Sequence, residues 1–165
     1  MKDAITQIIN DYNLKGKYFD KEGIDYLKNY FETLTLRIEI CKIINLNSAL
    51  IINSSIKALY EEQPELIRPG GNSNTTRRYA ACVRDLEYYL RYATYAMVAG
   101  DASILDERVL NGLVDTYNSL GVPIGPTVRS IQLLKENINT LLSSLKFDFI
   151  DFVEEPFDYL TYKLL

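Results

Sequence analysis

The residues best suited to chemistry lie between positions 77 and 92, in a stretch with helical periodicity. It places one thiol, that of Cys82, among four arginines, one aspartate and four tyrosines. The chain has no histidine, so haem ligation, imidazole metal sites and histidine-based triads lack their usual ligand or base. We therefore expect no catalytic residue and no metal site. A thiol among basic and aromatic side chains suits covalent attachment of a large conjugated acid.

Helical spacing groups these side chains into two neighbouring stripes. At about 100° per residue, one narrow arc holds Arg78, Cys82, Asp85 and Tyr89, and the adjoining stripe holds Arg77, Arg84, Tyr88 and Arg91. Arginine presents a planar, permanently charged fork that suits carboxylate or phosphate recognition. A carboxylate one turn from the thiol can accept hydrogen bonds from ring N–H groups or stabilise a nearby positive charge. These residues predict a covalent or tight site for a flat, acidic ligand.

Each of these features also has a purely structural interpretation. A single helical cysteine is usually a small core residue, and Arg84 with Asp85 could be surface charges that contribute little to stability. Residues 68–72, Arg-Pro-Gly-Gly-Asn, could form only a turn. Cys41 follows one isoleucine and precedes two more within three residues, so we expect it to be a core residue.

Composition and charge limit the classes of function. With 165 residues, 47% of them apolar and 24% charged, the chain predicts a single globular domain over 1–165. The net charge of −4 and the lack of a basic tract argue against a nucleic-acid partner. The longest apolar run is too short to span a membrane. No signal-peptide pattern opens the chain, so we expect an intracellular protein with two reduced thiols. Abundant Lys, Asn, Ile and Tyr without Trp indicate an AT-rich coding genome, such as that of a plastid.

Nearly the whole chain has helical periodicity, so the expected fold class is all-α. Two short amphipathic helices open it: one ends near Gly16, and one begins after Asp20 and turns Ile24, Leu27 and Phe31 inward. Longer helices are expected from about 36 to 62, from Thr75 or Thr76 to about 99, and from about 127 to 145. Shorter ones are expected from Asp101 or Ser103 to 113 and from there to 120. Pro64, residues 68–72 and residues 121–126 mark the breaks.

The two N-terminal helices, within residues 1–34, allow two interpretations. Amphipathic helices this short are marginal alone and need a surface to cover. They either fold back on their own core or form an arm that docks on a partner, and the pattern favours neither.

Longer motifs around Cys82 resemble a known family. Residues 68–72, followed by Thr-Thr-Arg-Arg-Tyr-Ala-Ala-Cys-Val-Arg-Asp at 75–85, strongly resemble the bilin-attachment region of phycobiliprotein beta subunits. Further matching runs follow at 90–96, 100–103, 105–113 and 116–123. No cysteine follows Cys82, so the second bilin site of phycocyanin beta subunits is missing, and the chain is most similar to the allophycocyanin beta type. Residues 62–67 and 154–159 resemble the beta-18 subfamily of that type.

The resemblance implies a globin-like all-α fold with two extra N-terminal helices and one phycocyanobilin joined to Cys82 through a thioether. It implies that Asp85 contacts the pyrrole nitrogens and that the propionate partners are among Arg77, Arg78 and Arg84, with Tyr88 among the chromophore-binding residues. Asn72 falls where beta subunits carry an N4-methylasparagine. Family beta chains commonly have Tyr at the position of Asn74, so this chain lacks any aromatic contact made there.

The expected function is therefore a light-harvesting subunit of the phycobilisome core that passes excitation energy towards the photosystem reaction centres. The expected partners are an allophycocyanin alpha subunit, other beta-type subunits and the core linker in a trimeric disc, with Asp11 and Arg91 as candidates for charge pairing. The disc would lie on the stromal or cytoplasmic face of the thylakoid, in contact with the membrane only through the assembled antenna, and a plastid of red-algal type is favoured. The alternatives are a bilin-binding sensor or storage globin and a ligand-free helical interaction subunit, and the attachment motif disfavours the latter.

Overall fold

The part of the chain that the computed structural model describes, residues 2–147 and 150–165, folds into seven α-helices. They are α1 (Ala4–Lys15), α2 (Lys21–Glu62), α3 (Thr76–Ala99), α4 (Ser103–Leu105), α5 (Leu113–Leu120), α6 (Ile124–Ser144) and α7 (Asp151–Leu164). A 3-10 turn (Pro64–Leu66) follows α2, and a π-helical segment (Asp106–Leu110) follows α4. No strand occurs in these residues, so the all-α prediction is confirmed. None of the described helices is both long enough and apolar enough to cross a membrane.

The N-terminal region consists of one short helix and the start of a very long one. Gly16 ends α1 in the left-handed conformation (φ 61°), and the Asp20 side chain caps α2 by accepting a hydrogen bond from the Gly23 N–H at 3.1 Å. Both boundaries agree with the prediction. The break predicted before Leu36 is wrong, because α2 runs for 42 residues and contains no proline, and no glycine after Gly23, that would interrupt it. The second predicted N-terminal helix is therefore the first part of α2.

The core lies between α2, α3, α6 and α7. Fully buried aliphatic side chains from all four helices meet there: Ile44, Ile51, Leu86, Ala93, Ile131, Leu134, Ile138 and Leu160. This packing fixes α3, and Leu86 and Tyr89 at the margin of the packed face also border a cleft.

The N-terminal region packs against the end of α3. Ala4 and Ile8 of α1 are buried, and the Tyr30 hydroxyl donates to the Val98 carbonyl oxygen at 3.1 Å. Gly100 ends α3 with φ 66°, and a Cβ there would lie 2.8 Å from the Tyr30 ring, so the approach requires glycine. The inner side of α1 thus folds back on its own chain.

The outer side of the same region remains exposed. Ile24 and Phe31 are 44% and 54% exposed, and Leu27 is half-buried. The prediction that these residues point into the chain's own core is wrong for Ile24 and Phe31. Periodicity identifies an apolar face, but it does not identify what covers that face.

The loop before α3 has a tight geometry. A Cβ at Gly71 would lie 2.2 Å from the Glu65 carbonyl oxygen, so only glycine lets the loop close here. The Ser73 N–H donates to the Leu66 carbonyl oxygen at 2.8 Å. Thr75 caps α3 by accepting from the Arg78 N–H at 3.3 Å, as predicted.

The helices after α3 differ from the prediction at two boundaries. The Asp101 side chain accepts a hydrogen bond from the Ser103 N–H at 2.8 Å, where a helix start was predicted. The predicted helix was expected to reach residue 113, but it ends with the π-helical segment at Leu110, because Gly112 adopts the left-handed conformation (φ 72°). α6 begins at Ile124, three residues early, because Pro126 falls within the first turn, where backbone N–H groups need no helical partner.

Candidate functional site

A cleft of about 380 Å³ lies beside α3. Its walls come from the loop before α3, one face of α3, α5 and the first turns of α6. Five of the predicted ligand-binding residues line it: Asn72, Arg77, Arg78, Cys82 and Asp85. The volume falls in the range of small-molecule sites, about 300–1,000 Å³. One cavity thus brings together the thiol, two arginines and the carboxylate.

The Cys82 thiol lies on the cleft wall and is free of any disulfide. Burial raises the pKa of Cys82 above its ordinary value, and the nearby Asp85 carboxylate raises it further. The Tyr60 hydroxyl lowers the pKa but does not cancel the effect of burial. A raised pKa keeps the thiol protonated at neutral pH, and the thiolate is the nucleophilic form. Cys82 is therefore a sheltered thiol of low spontaneous reactivity.

Tyr60 adjoins this thiol. The residue is 8% exposed, and its ring centre lies 5.6 Å from that of Tyr79. Its hydroxyl makes no hydrogen bond of normal geometry, and no other buried side-chain polar atom of the described residues shares that condition. Burial raises the pKa of Tyr60, and the Ser73 and Cys82 side chains also act on it. Tyr60 therefore remains a neutral phenol near the thiol.

Both oxygens of the Asp85 carboxylate are engaged. Oδ1 accepts from the Arg84 guanidinium at 3.0 Å, and Oδ2 accepts from the Tyr117 hydroxyl at 2.9 Å. The Tyr117 hydroxyl lies 2.5 Å from that of Tyr89. A carboxylate offers about four lone-pair positions, so Asp85 keeps acceptor capacity for N–H donors in the cleft.

Arg84 and Tyr88, two further predicted ligand-binding residues, are not among the residues that line the cleft. Arg84 is exposed and pairs with Asp85. Tyr88 is 43% exposed, and the Arg91 guanidinium lies 5.5 Å from its ring centre. Their contact with a ligand stays a prediction.

No ion pair within the described residues joins Asp11 to Arg91, the residues predicted to pair subunits. Arg91 donates to Glu87 at 2.6 Å on the exposed side of α3, and Asp11 lies at a groove between α1 and α2. Both remain accessible to a second chain, and their role in pairing stays a prediction.

Two other residues singled out in the sequence lie away from the cleft. Cys41 packs against the core, and its Sγ lies 3.6 Å from the Asn45 amide nitrogen. Burial raises the pKa of Cys41, which fits the core interpretation. Asn74 is exposed and does not line the cleft.

Sequence patterns assigned no partner to Asp85 on another helix. Tyr117 lies 32 residues away on α5 and reaches Asp85 only because the chain returns across the cleft. Further lining residues without a local signal are Ser73, Leu120, Pro123, Thr127 and Ser130. They enter the site through loop and helix packing, which side-chain periodicity does not encode.

A protein-family model described as phycobilisome protein matches residues 7–164. The chain belongs to this family. It is 58% identical over 164 residues to a phycobiliprotein beta chain of Mastigocladus laminosus, an alignment that covers 99% of this chain and 97% of the relative. It is 58% identical over 160 residues to the allophycocyanin subunit beta-18 of Cyanophora paradoxa and 57% identical over 160 residues to that of Pyropia yezoensis, with 97% of this chain and 95% of each relative covered. The predicted resemblance is confirmed, and the all-helical architecture is consistent with the globin-like fold.

Proposed function

We propose that this phycobilisome protein is a light-harvesting subunit of the phycobilisome core that carries one phycocyanobilin, joined by a thioether to Cys82. The observation that carries the proposal is the cleft in which the Cys82 thiol lies with Arg77, Arg78 and Asp85. Relatives that match over almost their whole length are named allophycocyanin subunits. This similarity supports the antenna role and does not favour a sensor or storage globin. The role is pigment binding and energy transfer, without catalysis.

The residues of the cleft fit a linear tetrapyrrole acid. Arg77 and Arg78 provide guanidinium groups for carboxylates, and Asp85 provides an acceptor for pyrrole N–H groups. Leu86 and Leu120 contribute apolar wall, which suits a flat conjugated ring system. When bound, such a pigment supplies the visible absorption that the side chains of the protein lack.

Rigid walls suit an antenna, because a pigment that twists freely loses its excitation as heat. α3 is held by its buried face against α2, α6 and α7. The Tyr117–Asp85 hydrogen bond at 2.9 Å ties α5 to α3 across the cleft. Both contacts support a role in which the protein holds the pigment still until excitation passes to a neighbour.

Asn72 lines the cleft and is partly exposed. We infer that it is the N4-methylated position of this chain. A methyl group on the amide nitrogen replaces one N–H donor with an apolar contact, which changes the polarity beside the pigment without adding charge.

The N-terminal arm, residues 1–34, is the proposed contact with an allophycocyanin alpha subunit. Ile24 and Phe31 in the arm, and Ile38 just beyond it, follow one another at seven-residue spacing along α2 and are 44%, 54% and 55% exposed. Such spacing places them on one helical face, and an apolar face of this kind indicates a protein contact. Asp11 and Arg91 are the proposed charge pairs of that contact.

Other beta-type subunits and the core linker would complete a trimeric disc on the stromal or cytoplasmic face of the thylakoid, with a red-algal plastid as the favoured setting. Nucleic acid is not an expected partner of a chain with net charge −4.

Peptide mass mapping of the native protein tests the attachment site, together with visible absorbance and zinc-enhanced gel fluorescence. We expect one adduct on the peptide that contains Cys82. Cys82→Ser should abolish the adduct and the colour, whereas the matched control Cys41→Ser should keep both. An adduct on Cys41, or a colourless native protein, would overturn the proposal.

A further inference from the structure

The hydrogen bonds around Asp85 have a defined direction. Asp85 faces the Arg84 guanidinium as a carboxylate, and a carboxylate can only accept. The single hydroxyl hydrogen of Tyr117 therefore points to Asp85 Oδ2, at 2.9 Å. Tyr117 has no second hydrogen to offer, so Tyr89 must be the donor in the 2.5 Å contact between the two hydroxyls. The chain of bonds runs from Tyr89 to Tyr117 to Asp85.

This chain of hydrogen bonds is largely shielded from solvent. Tyr89 and Tyr117 are 2% and 6% exposed, and burial raises the pKa of both phenols. Consecutive hydrogen bonds polarise one another, so the Tyr89 bond strengthens the bond that Tyr117 donates. Tyr117 also comes from a different helix, so the carboxylate is held from two sides, by Arg84 on α3 and by Tyr117 on α5.

We propose that Tyr117, supported by Tyr89, is a positioning residue that fixes the Asp85 carboxylate in the cleft and thereby sets the colour and emission of the pigment, an inference that rests on the proposed function. Tyr117 acts through Asp85: its hydroxyl holds one carboxylate oxygen, which leaves the remaining lone pairs aimed into the cleft for N–H donors. Tyr89 acts one step further back, as the donor that orients the Tyr117 hydroxyl.

A double-mutant cycle between Tyr117→Phe and Asp85→Ala, which leaves no side-chain acceptor at position 85, tests this on the pigmented protein. Tyr117→Phe keeps the ring and removes only the hydroxyl. We expect it to displace the absorption maximum and to lower the emission yield in the native background, and to add no further displacement in the Asp85→Ala background. Tyr89→Phe should displace the maximum in the same direction by a smaller amount. Tyr162→Phe removes a hydroxyl from a side chain that is 77% exposed and should leave the spectrum unchanged.

The same cycle on the pigment-free chain separates this inference from the proposed function. Loss of a hydrogen bond to a charged group corresponds to about a ten- to hundredfold change in an equilibrium constant. In urea, Tyr117→Phe should raise the unfolding equilibrium constant by that factor in the native background and by much less in the Asp85→Ala background. If no pigment attaches but this coupling is found, the proposed function fails and the Asp85–Tyr117 link stands. If pigment attaches and Tyr117→Phe leaves its spectrum unchanged, or shifts it equally in the Asp85→Ala background, the positioning role is wrong.

Discussion

Arg37 on α2 donates a hydrogen bond from Nη1 to the main-chain carbonyl oxygen of Met97 on α3, across 2.5 Å. The same guanidinium lies 4.2 Å from the ring centre of Phe152 on α7. Burial lowers the pKa of Arg37, but arginine stays charged at any physiological pH. One side chain thus joins three helices at the point where the N-terminal part of α2 leaves the core.

Arg37→Ala should therefore destabilise the fold by about 2–4 kcal/mol, from the lost charged hydrogen bond and cation–π contact. Urea unfolding measures this free energy. Lys28→Ala removes an exposed cation from the same helix and should change stability by less than about 0.5 kcal/mol. Equal effects of the two substitutions would show that the Met97 contact contributes nothing to stability.

The sheltered setting of Cys82 predicts slow alkylation. Because burial raises the pKa of Cys82, a smaller fraction is thiolate at neutral pH than in an unfolded chain. In the pigment-free Cys41→Ser chain, iodoacetamide should react with Cys82 more slowly at about pH 7.5 than after unfolding in urea. The rate should still be rising above about pH 9, where an ordinary thiol has largely titrated. A folded chain that reacts as fast as the unfolded one at neutral pH would contradict the sheltered thiol.

Buried tyrosines predict a loss of stability in alkali. Burial raises the pKa of Tyr89 and Tyr117, so the folded chain holds these protons more tightly than the unfolded chain, whose tyrosines titrate near pH 10. Their contribution is fully present below about pH 10 and is lost progressively as the pH rises from there towards the raised pKa values of the folded chain. The urea midpoint should therefore fall as the pH rises above about 10.

The urea midpoint of Tyr89→Phe should fall less steeply in alkali, because this variant has one buried phenol proton fewer. Tyr162→Phe serves as the matched control, because that side chain is exposed and should leave the steepness unchanged. An identical pH dependence in all three chains would mean that the buried phenols do not set it.

The sequence predicts correctly those helix ends and side-chain groupings that depend only on neighbouring residues. Gly16, Asp20 and Thr75 mark helix ends through their own backbone preference or side-chain oxygen, and all three lie where predicted. The helical arc that groups Cys82 with Asp85 is likewise local, and both residues line the cleft.

Sequence patterns do not predict contacts between segments that are far apart in the chain. The Tyr117 hydroxyl reaches Asp85 from 32 residues away, and no spacing rule encodes that approach. The exposed position of Phe31 could not be predicted for a similar reason, because an apolar stripe looks the same whether its own chain or a partner covers it. The uninterrupted α2 differs from the prediction because no helix-breaking residue separates its two amphipathic segments.

The exposed apolar stripe on α2, formed by Ile24, Phe31 and Ile38, predicts where a partner subunit binds. Phe31→Ser removes a ring that is 54% exposed, so it should change the stability of the isolated chain by less than about 1 kcal/mol. If the stripe is the contact with an allophycocyanin alpha subunit, the same substitution should weaken pairing by more than about 1 kcal/mol, a fivefold or greater rise in Kd. Sedimentation of the mixed subunits measures both the stoichiometry and the affinity.

Three companion variants locate the contact. Removal of residues 1–19, which takes away α1 but leaves the Asp20 cap of α2, should abolish pairing while the later helices still fold. Asp11→Ala should weaken pairing by about 1 kcal/mol or less if the aspartate stays solvated in the complex, and by more if the contact desolvates it. Leu165→Ser alters a residue that is 89% exposed at the other terminus and should pair normally. If Phe31→Ser and the truncated chain both pair at full affinity, the arm is not the docking surface, and α1 serves only to cover the junction of α3 and α4.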